Sequence, residues 1–164
     1  MEDAALGWWG VPLAVIAGAI RISTPFLFVS LGECLTEKSG RINLGLEGTL
    51  VMGAMGGYGT AYLTGSPWAG VLVAGFLGMV FGLLHATICA LPKVNDIAVG
   101  IALMLLGTGL AFFLGKPFIQ PMAPHLPAVD FGFWSDVPQI RSALQINVLF
   151  VIGALLAVAM LWGF

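Results

Sequence analysis

No charged side chain occurs from Gly48 to Pro92, from Ile97 to Gly115, or from Ser142 to Phe164. Each stretch reaches or exceeds the ~20 apolar residues that carry a helix across ~30 Å of hydrocarbon at ~1.5 Å per residue. A soluble domain has about a quarter of its residues charged. This chain has 9% charged and 59% hydrophobic residues, and a mean hydropathy of +1.02. The predicted fold class is therefore all-α: a polytopic transmembrane helix bundle of about five spans, because a barrel would alternate polar and apolar residues in short units. The spans are expected near 12–34, 44–63, 68–91, 97–115 and 144–164, within a single membrane domain covering 1–164. The first run is flanked by Glu2 and Asp3, where a signal peptide needs positive charge, and so reads as a retained span.

Between the spans, Thr64-Gly65-Ser66-Pro67-Trp68 and Leu91-Pro92-Lys93-Val94-Asn95-Asp96 read as tight turns. The segment 116–143 carries five prolines, His125 and charges of both signs, and is predicted as an extramembrane loop. Alternation of the spans places Lys38, Arg41 and Lys93 on one side, which short-loop basic residues assign to the cytoplasm. The N-terminus is then outside and the C-terminus inside. An end at Phe164 without a polar tail predicts a fragment of a longer protein.

Five of the fourteen charged side chains fall between Glu33 and Glu47. A polar, glycine-punctuated segment between two apolar runs is costly in a bilayer unless it caps helices, lines a wet path or docks a partner. Asn43 and Glu47 suit the start of the second span, as a cap and as a carboxylate at the positive end of the helix dipole. Glu33, near the end of span one, needs water or a partner, with Lys38 and Arg41 as candidates. Arg21 sits within span one, four residues before a helix-interrupting Pro25, and shares a face with Thr24 and Phe28. It either lines an aqueous route or lies near the span's outer end. Asn95 and Asp96 are cap candidates for span four, and Asn147 a hydrogen-bonding group in span five. Gly45, Thr49, Gly53, Gly57 and Ala61 recur every fourth position and place a small-residue groove along one face of span two, for close helix packing with or without an adjoining path. His85 reads as a packing histidine or a proton relay; Cys34 and Cys89, outside any CxxC pattern, read as buried packing residues.

Several classes are excluded by pattern. Gly115-Lys116-Pro117 lacks the earlier glycine and the following hydroxyl of a phosphate loop, and no HExxH, CxxC or GxSxG occurs. The chain offers no catalytic residues, no metal site and no cofactor site, and a net charge of -2 gives no ground for nucleic-acid binding.

The run Gly32-Glu33, Glu37-Lys38-Ser39-Gly40, Ile42-Asn43-Leu44-Gly45-Leu46-Glu47-Gly48 and Met52-Gly53-Ala54, followed by Asn95-Asp96-Ile97-Ala98-Val99-Gly100, closely resembles permease subunits of bacterial ABC importers. The nearest branch is that for nucleosides and simple sugars, related to ribose and branched-chain amino acid permeases. The resemblance implies a subunit of the bacterial inner (plasma) membrane that pairs with a second permease, is driven by cytoplasmic ATPase subunits and receives solute from an extracytoplasmic substrate-binding protein. ATP and Mg would belong to the partner ATPase. Glu33, Asn43 and Glu47 match the family's polar motif, and Asn95 the polar start of span four. Asp96 and Met104 depart from the amides more usual in that branch. Such permeases continue past the fifth span into a basic ATPase-docking loop, so the chain corresponds to the N-terminal half only and is not expected to couple to ATP hydrolysis by itself. Rival readings are a proton-coupled secondary transporter, using Glu33, Glu47 or His85, and a non-transporting membrane scaffold that associates through the groove of span two.

Overall fold

The computed structural model describes residues 10–119 and 121–163. These fall into two compact units: a larger one from Val29 to His125, and a smaller one that combines the chain up to Phe28 with Leu126 onward. The long helices are α1 (Gly10–Lys38), α2 (Leu46–Thr64), α3 (Pro67–Cys89) and α4 (Asp96–Gly115); a short α5 (Pro138–Ala143) precedes α6 (Val148–Gly163). Among the described residues there are also two three-residue strands, β1 (Ala128–Asp130) and β2 (Gln145–Asn147), and three stretches are long and apolar enough to cross a membrane: Val11–Lys38, Pro67–Cys89 and Asp96–Phe118.

Local chemistry sets the helix ends. Gly65 closes α2 in the left-handed conformation (φ 69°), which costs a residue without Cβ nothing. Ser66 then caps α3 by accepting from the Ala69 N–H, with Pro67 in the first turn where its missing N–H is harmless. Asn95 caps α4, its side chain accepting from Ile97 and Ala98 N–H at 2.9 and 3.2 Å. Helix α1 continues through Pro25. One turn earlier, the Ser23 and Thr24 hydroxyls both donate to the Ile20 carbonyl, at 3.0 and 3.2 Å.

In the larger unit, α2 lies between α3 and α4, and those two make little contact with each other. Glycine makes this possible. A Cβ built on Gly70 of α3 would stand 2.5 Å from the Gly57 carbonyl oxygen, and one on Gly48 would stand 2.6 Å from Met104 Cα of α4. The small-residue stripe of α2 thus serves two neighbours rather than one. Gly53, Gly57 and Ala61 meet α3 at Gly70 and Ala74, whereas Gly45, with Gly48, meets α4 at Gly100, Leu103 and Met104. Thr49 turns its methyl toward Gly78 of α3 and donates its hydroxyl to the Gly45 carbonyl. A helix surrounded by protein on two sides needs fewer lipid-soluble side chains, which accounts for the many small and hydroxylated residues of α2. Met52, Phe81, Leu103 and Ala111 form the buried core of this unit.

In the smaller unit, β1 and β2 pair antiparallel with Ala128 opposite Asn147 and Asp130 opposite Gln145. The segment 116–143, expected as a loop long enough to carry a short helix, holds a 3-10 turn (Lys116–Phe118), β1 and the short α5, and α6 begins at Val148. Gln145-Ile146-Asn147 alternates polar and apolar, the period of a strand, but beside a charge-free run that alternation is too short to stand out. Asn147, expected as an interhelical hydrogen-bonding group, accepts from the Leu149 N–H at 2.9 Å among the described residues and starts α6. Gly153 of α6 leaves room for Leu27 and Phe28 of α1, whose side chains stand 2.8 and 3.3 Å from where its Cβ would be. The acidic residues Glu2 and Asp3, and Phe164, lie outside the described residues.

Candidate functional site

The predicted polar motif forms a junction in the larger unit, where the end of α1, the connection 39–45 and the starts of α2 and α4 meet. Gly40 (φ 78°) lets the chain reverse after α1. The backbone N–H of buried Asn43 then donates to Glu33 Oε1 at 3.4 Å, and Asn43 Oδ1 accepts from the Gly45 N–H at 2.9 Å. This corrects the expected cap. The N-cap position of α2 is Gly45, without a side-chain cap bond, and Asn43 instead closes an Asx turn with the two residues that follow it, Leu44 and Gly45. That turn presses the Leu44 and Gly45 backbone onto α4, where a Cβ on Gly100 would stand 2.7 Å from the Leu44 nitrogen.

Glu33 holds one oxygen on Asn43, while Oε2 is buried with no hydrogen-bond partner among the described residues. Arg41, one of the two candidate partners for Glu33 beside Lys38, pairs with Asp96 at 2.9 Å and ties the connection to the first turn of α4. With 45% and 18% of these side chains exposed, such a pair is worth about 0–1 kcal/mol. Glu47 is exposed in the first turn of α2. Arg21 belongs to the smaller unit and is exposed on α1. Cys34 is exposed, contrary to expectation, because it falls on the open face of the last turns of α1.

Beside the junction lies an open hollow of about 340 Å³, walled by α1, the connection and α3. His85 and Cys89 are buried on its α3 side, with Nε2 and Sγ 3.6 Å apart. Thr36, Ser39 and Arg41 line the opposite side. Among the described residues no three potential metal ligands come together.

Sequence reasoning missed three features. Gly48, Gly100 and Gly107 carry the closest α2–α4 approach; a Cβ on Gly107 would stand 2.6 Å from the Gly48 carbonyl oxygen. The seven-residue spacing of Gly100 and Gly107 was the available signal. The Arg41–Asp96 pair joins residues 55 apart, with nothing local to announce it. The third lies at the other end of α2, where the Tyr58 hydroxyl donates to the Pro121 carbonyl and accepts from the Ala123 N–H, and Phe118 packs over Gly59. These contacts pin the segment after α4 to α2.

Long apolar helices, a glycine-packed central helix and a polar junction made of caps and turns define a polytopic α-helical membrane protein without an assembled catalytic group among the described residues. The chain belongs to the family described as branched-chain amino acid transport system / permease component, whose model matches residues 15–164. It is 32% identical over 154 residues to the putative glucose ABC transporter permease protein TsgC13 of Haloferax volcanii, covering 92% of this chain and 47% of that protein. The nucleoside ABC transporter permease protein NupC of Lactococcus lactis is 30% identical over 142 residues, covering 83% and 44%. The guanosine ABC transporter permease protein NupQ of Bacillus subtilis is 26% identical over 159 residues, covering 84% and 50%. The chain therefore spans about half the length of the curated relatives it matches. No solved structure matches it.

Proposed function

We propose that this chain is the N-terminal half of a permease subunit of an ABC importer that moves nucleosides or simple sugars across the bacterial inner membrane. The observation that carries this reading is the family match over residues 15–164, with relatives named for glucose, nucleoside and guanosine transport. In this reading the chain binds no cofactor. ATP and Mg are handled by cytoplasmic ATPase subunits, a second permease completes the path, and an extracytoplasmic binding protein delivers the solute. The N-terminus faces outward, with Lys38, Arg41 and Lys93 on the cytoplasmic side.

The polar junction then links α1, α2 and α4 so that a displacement of one is felt by the others. Asn43 and Asn95 hold the turns, and Glu33, with one carboxylate oxygen lacking a donor, meets a further polar group in another state of the transport cycle. Glu47 and Arg21 supply polar contacts along or at the mouth of the path. The experiment is uptake of radiolabelled uridine and glucose by cells carrying the full reading frame with its partner genes. Glu33→Gln, which keeps the acceptor for Asn43, and Glu47→Gln are expected to lower uptake while membrane insertion stays normal. Unchanged uptake in both variants removes the path role and leaves these residues to local structure alone.

A further inference from the structure

The segment between β1 and α5 places two large aromatic rings where a soluble protein places polar residues. The Ser135 N–H donates to the Gly132 carbonyl at 3.0 Å, closing a four-residue turn with Phe133 and Trp134 at its two central positions. They are 77% and 65% exposed, beside Phe131 at 45%. Turn apices favour Gly, Pro, Asn, Asp and Ser, and burying a Phe or Trp is worth several times what any turn preference supplies.

This apex is held in place. The Asp130 carboxylate accepts from the Gly132 N–H at 2.8 Å and pairs through its other oxygen with Arg141 Nε at 2.8 Å. The Phe131 N–H donates to the Leu144 carbonyl, and Gly132 lies so close to α5 that a Cβ there would stand 2.6 Å from Arg141 Cα. The aromatic rings are therefore presented by a braced element, not by a slack loop.

The element is also joined to the apolar helix α6 without a spacer. Strand β2 ends at Asn147, opposite Ala128, and α6 begins at the next residue. Phe131 bonds Leu144, four residues before Val148, so at ~3.3 Å per residue it lies about 13 Å along the ribbon from the start of α6. Helix α6 itself is apolar and exposes Leu155, Val158, Leu161 and Trp162, a surface that in a membrane protein meets acyl chains.

We propose that the turn Gly132–Ser135 is an interfacial anchor, with Phe133 and Trp134 seated in the lipid headgroup layer and the β1–β2 pair lying along the membrane surface. Tryptophan suits this layer because its ring is apolar and its N–H finds water or headgroup oxygens. The anchor fixes the depth of the first turn of α6 and of the strand pair beside it.

The experiment places the full-length protein in phosphatidylcholine/phosphatidylglycerol nanodiscs with Trp134 as its sole tryptophan, the other four being replaced by Phe. The expected result is blue-shifted emission, shielded from aqueous iodide and lost more to lipids labelled near the carbonyl than to those labelled near the chain end. Iodide quenching with no lipid quenching overturns the proposal. So does shielding that arises only when a soluble substrate-binding protein is added, which would make the apex a protein-docking surface. A second measurement avoids the fourfold replacement: benzoylphenylalanine at position 133 of the otherwise native chain is expected to photo-crosslink to phospholipid. Adducts to protein alone, or none to lipid, overturn it equally.

Discussion

Gly48→Ala tests the packing of the central helix. Its Cβ would stand 2.6 Å from both Met104 Cα and the Met104 carbonyl oxygen, and 2.9 Å from the Leu103 carbonyl oxygen. None of these atoms can rotate aside, so α2 and α4 must part by roughly 0.8 Å at this point to restore ordinary contact. Overpacking of this kind costs about 1–3 kcal/mol, and rigid backbone neighbours put it at the upper end. Gly48 is the third residue of α2, so alanine returns at most the ~1 kcal/mol of a helix-interior glycine replacement, leaving a net loss of about 1–2 kcal/mol or more. Gly53→Ala is the matched control on the same helix, because its Cβ would meet only the Ala74 carbonyl oxygen at 3.6 Å, an ordinary contact. It keeps the backbone gain and is expected to be neutral or stabilising. Unfolding of the purified protein in mild detergent by added SDS, followed by circular dichroism, reads the difference. A Gly48→Ala protein as resistant as Gly53→Ala would refute the backbone-to-backbone packing of α2 on α4.

Three further outcomes follow from named contacts. Tyr58→Phe removes a donor and an acceptor that hold Pro121 and Ala123, at about 1 kcal/mol per hydrogen bond, and is expected to speed protease cleavage within 119–125 without altering α2; unchanged cleavage refutes the tether. A double-mutant cycle on Arg41→Gln and Asp96→Asn should give a coupling below about 1 kcal/mol that shrinks with salt, whereas a larger, salt-insensitive coupling would mean that the pair is more enclosed than its exposure shows. The Arg141 guanidinium, and next the Gly132 N–H, hold the Asp130 carboxyl below its ordinary value. The bracing of the aromatic turn is therefore fully present above the unfolded-state pKa of about 4 and lost as pH falls through the lower folded value. Trp134 emission from the single-tryptophan protein reports this, and Arg141→Gln should move the transition up toward the ordinary carboxylate range; an unmoved transition rules out Arg141 as the cause.

What the sequence made legible was whatever one element could signal alone. Charge-free runs disclosed helices, Gly65-Ser66-Pro67 disclosed a stop and a start, and Asn95 disclosed a cap, because each is governed by neighbours within four residues. The density of charge from Glu33 to Glu47 pointed to the junction but not to its wiring. Whether Arg41 meets Glu33 or Asp96 depends on where α4 returns, which no local pattern contains. Asn43 illustrates the same limit at short range, since a cap and an Asx turn two residues earlier use the same side chain and differ only in where the helix begins. The small-residue groove was visible as a four-residue repeat, yet its division between α3 and α4 is a property of three helices together. β2 was hidden because three alternating residues weigh little beside the apolar run they introduce.

The central reading, a permease half whose movement of solute is driven by a separate ATPase, meets its most direct test in proteoliposomes containing the complete transporter and its solute-binding protein. Uptake of labelled nucleoside or glucose is expected to require ATP on the ATPase side, to vanish when the phosphate-loop lysine of the partner ATPase is replaced, and to persist with a protonophore present. Uptake driven by an imposed proton gradient in vesicles lacking the ATPase would contradict the account and transfer the coupling role to Glu33, Glu47 or His85 of this chain.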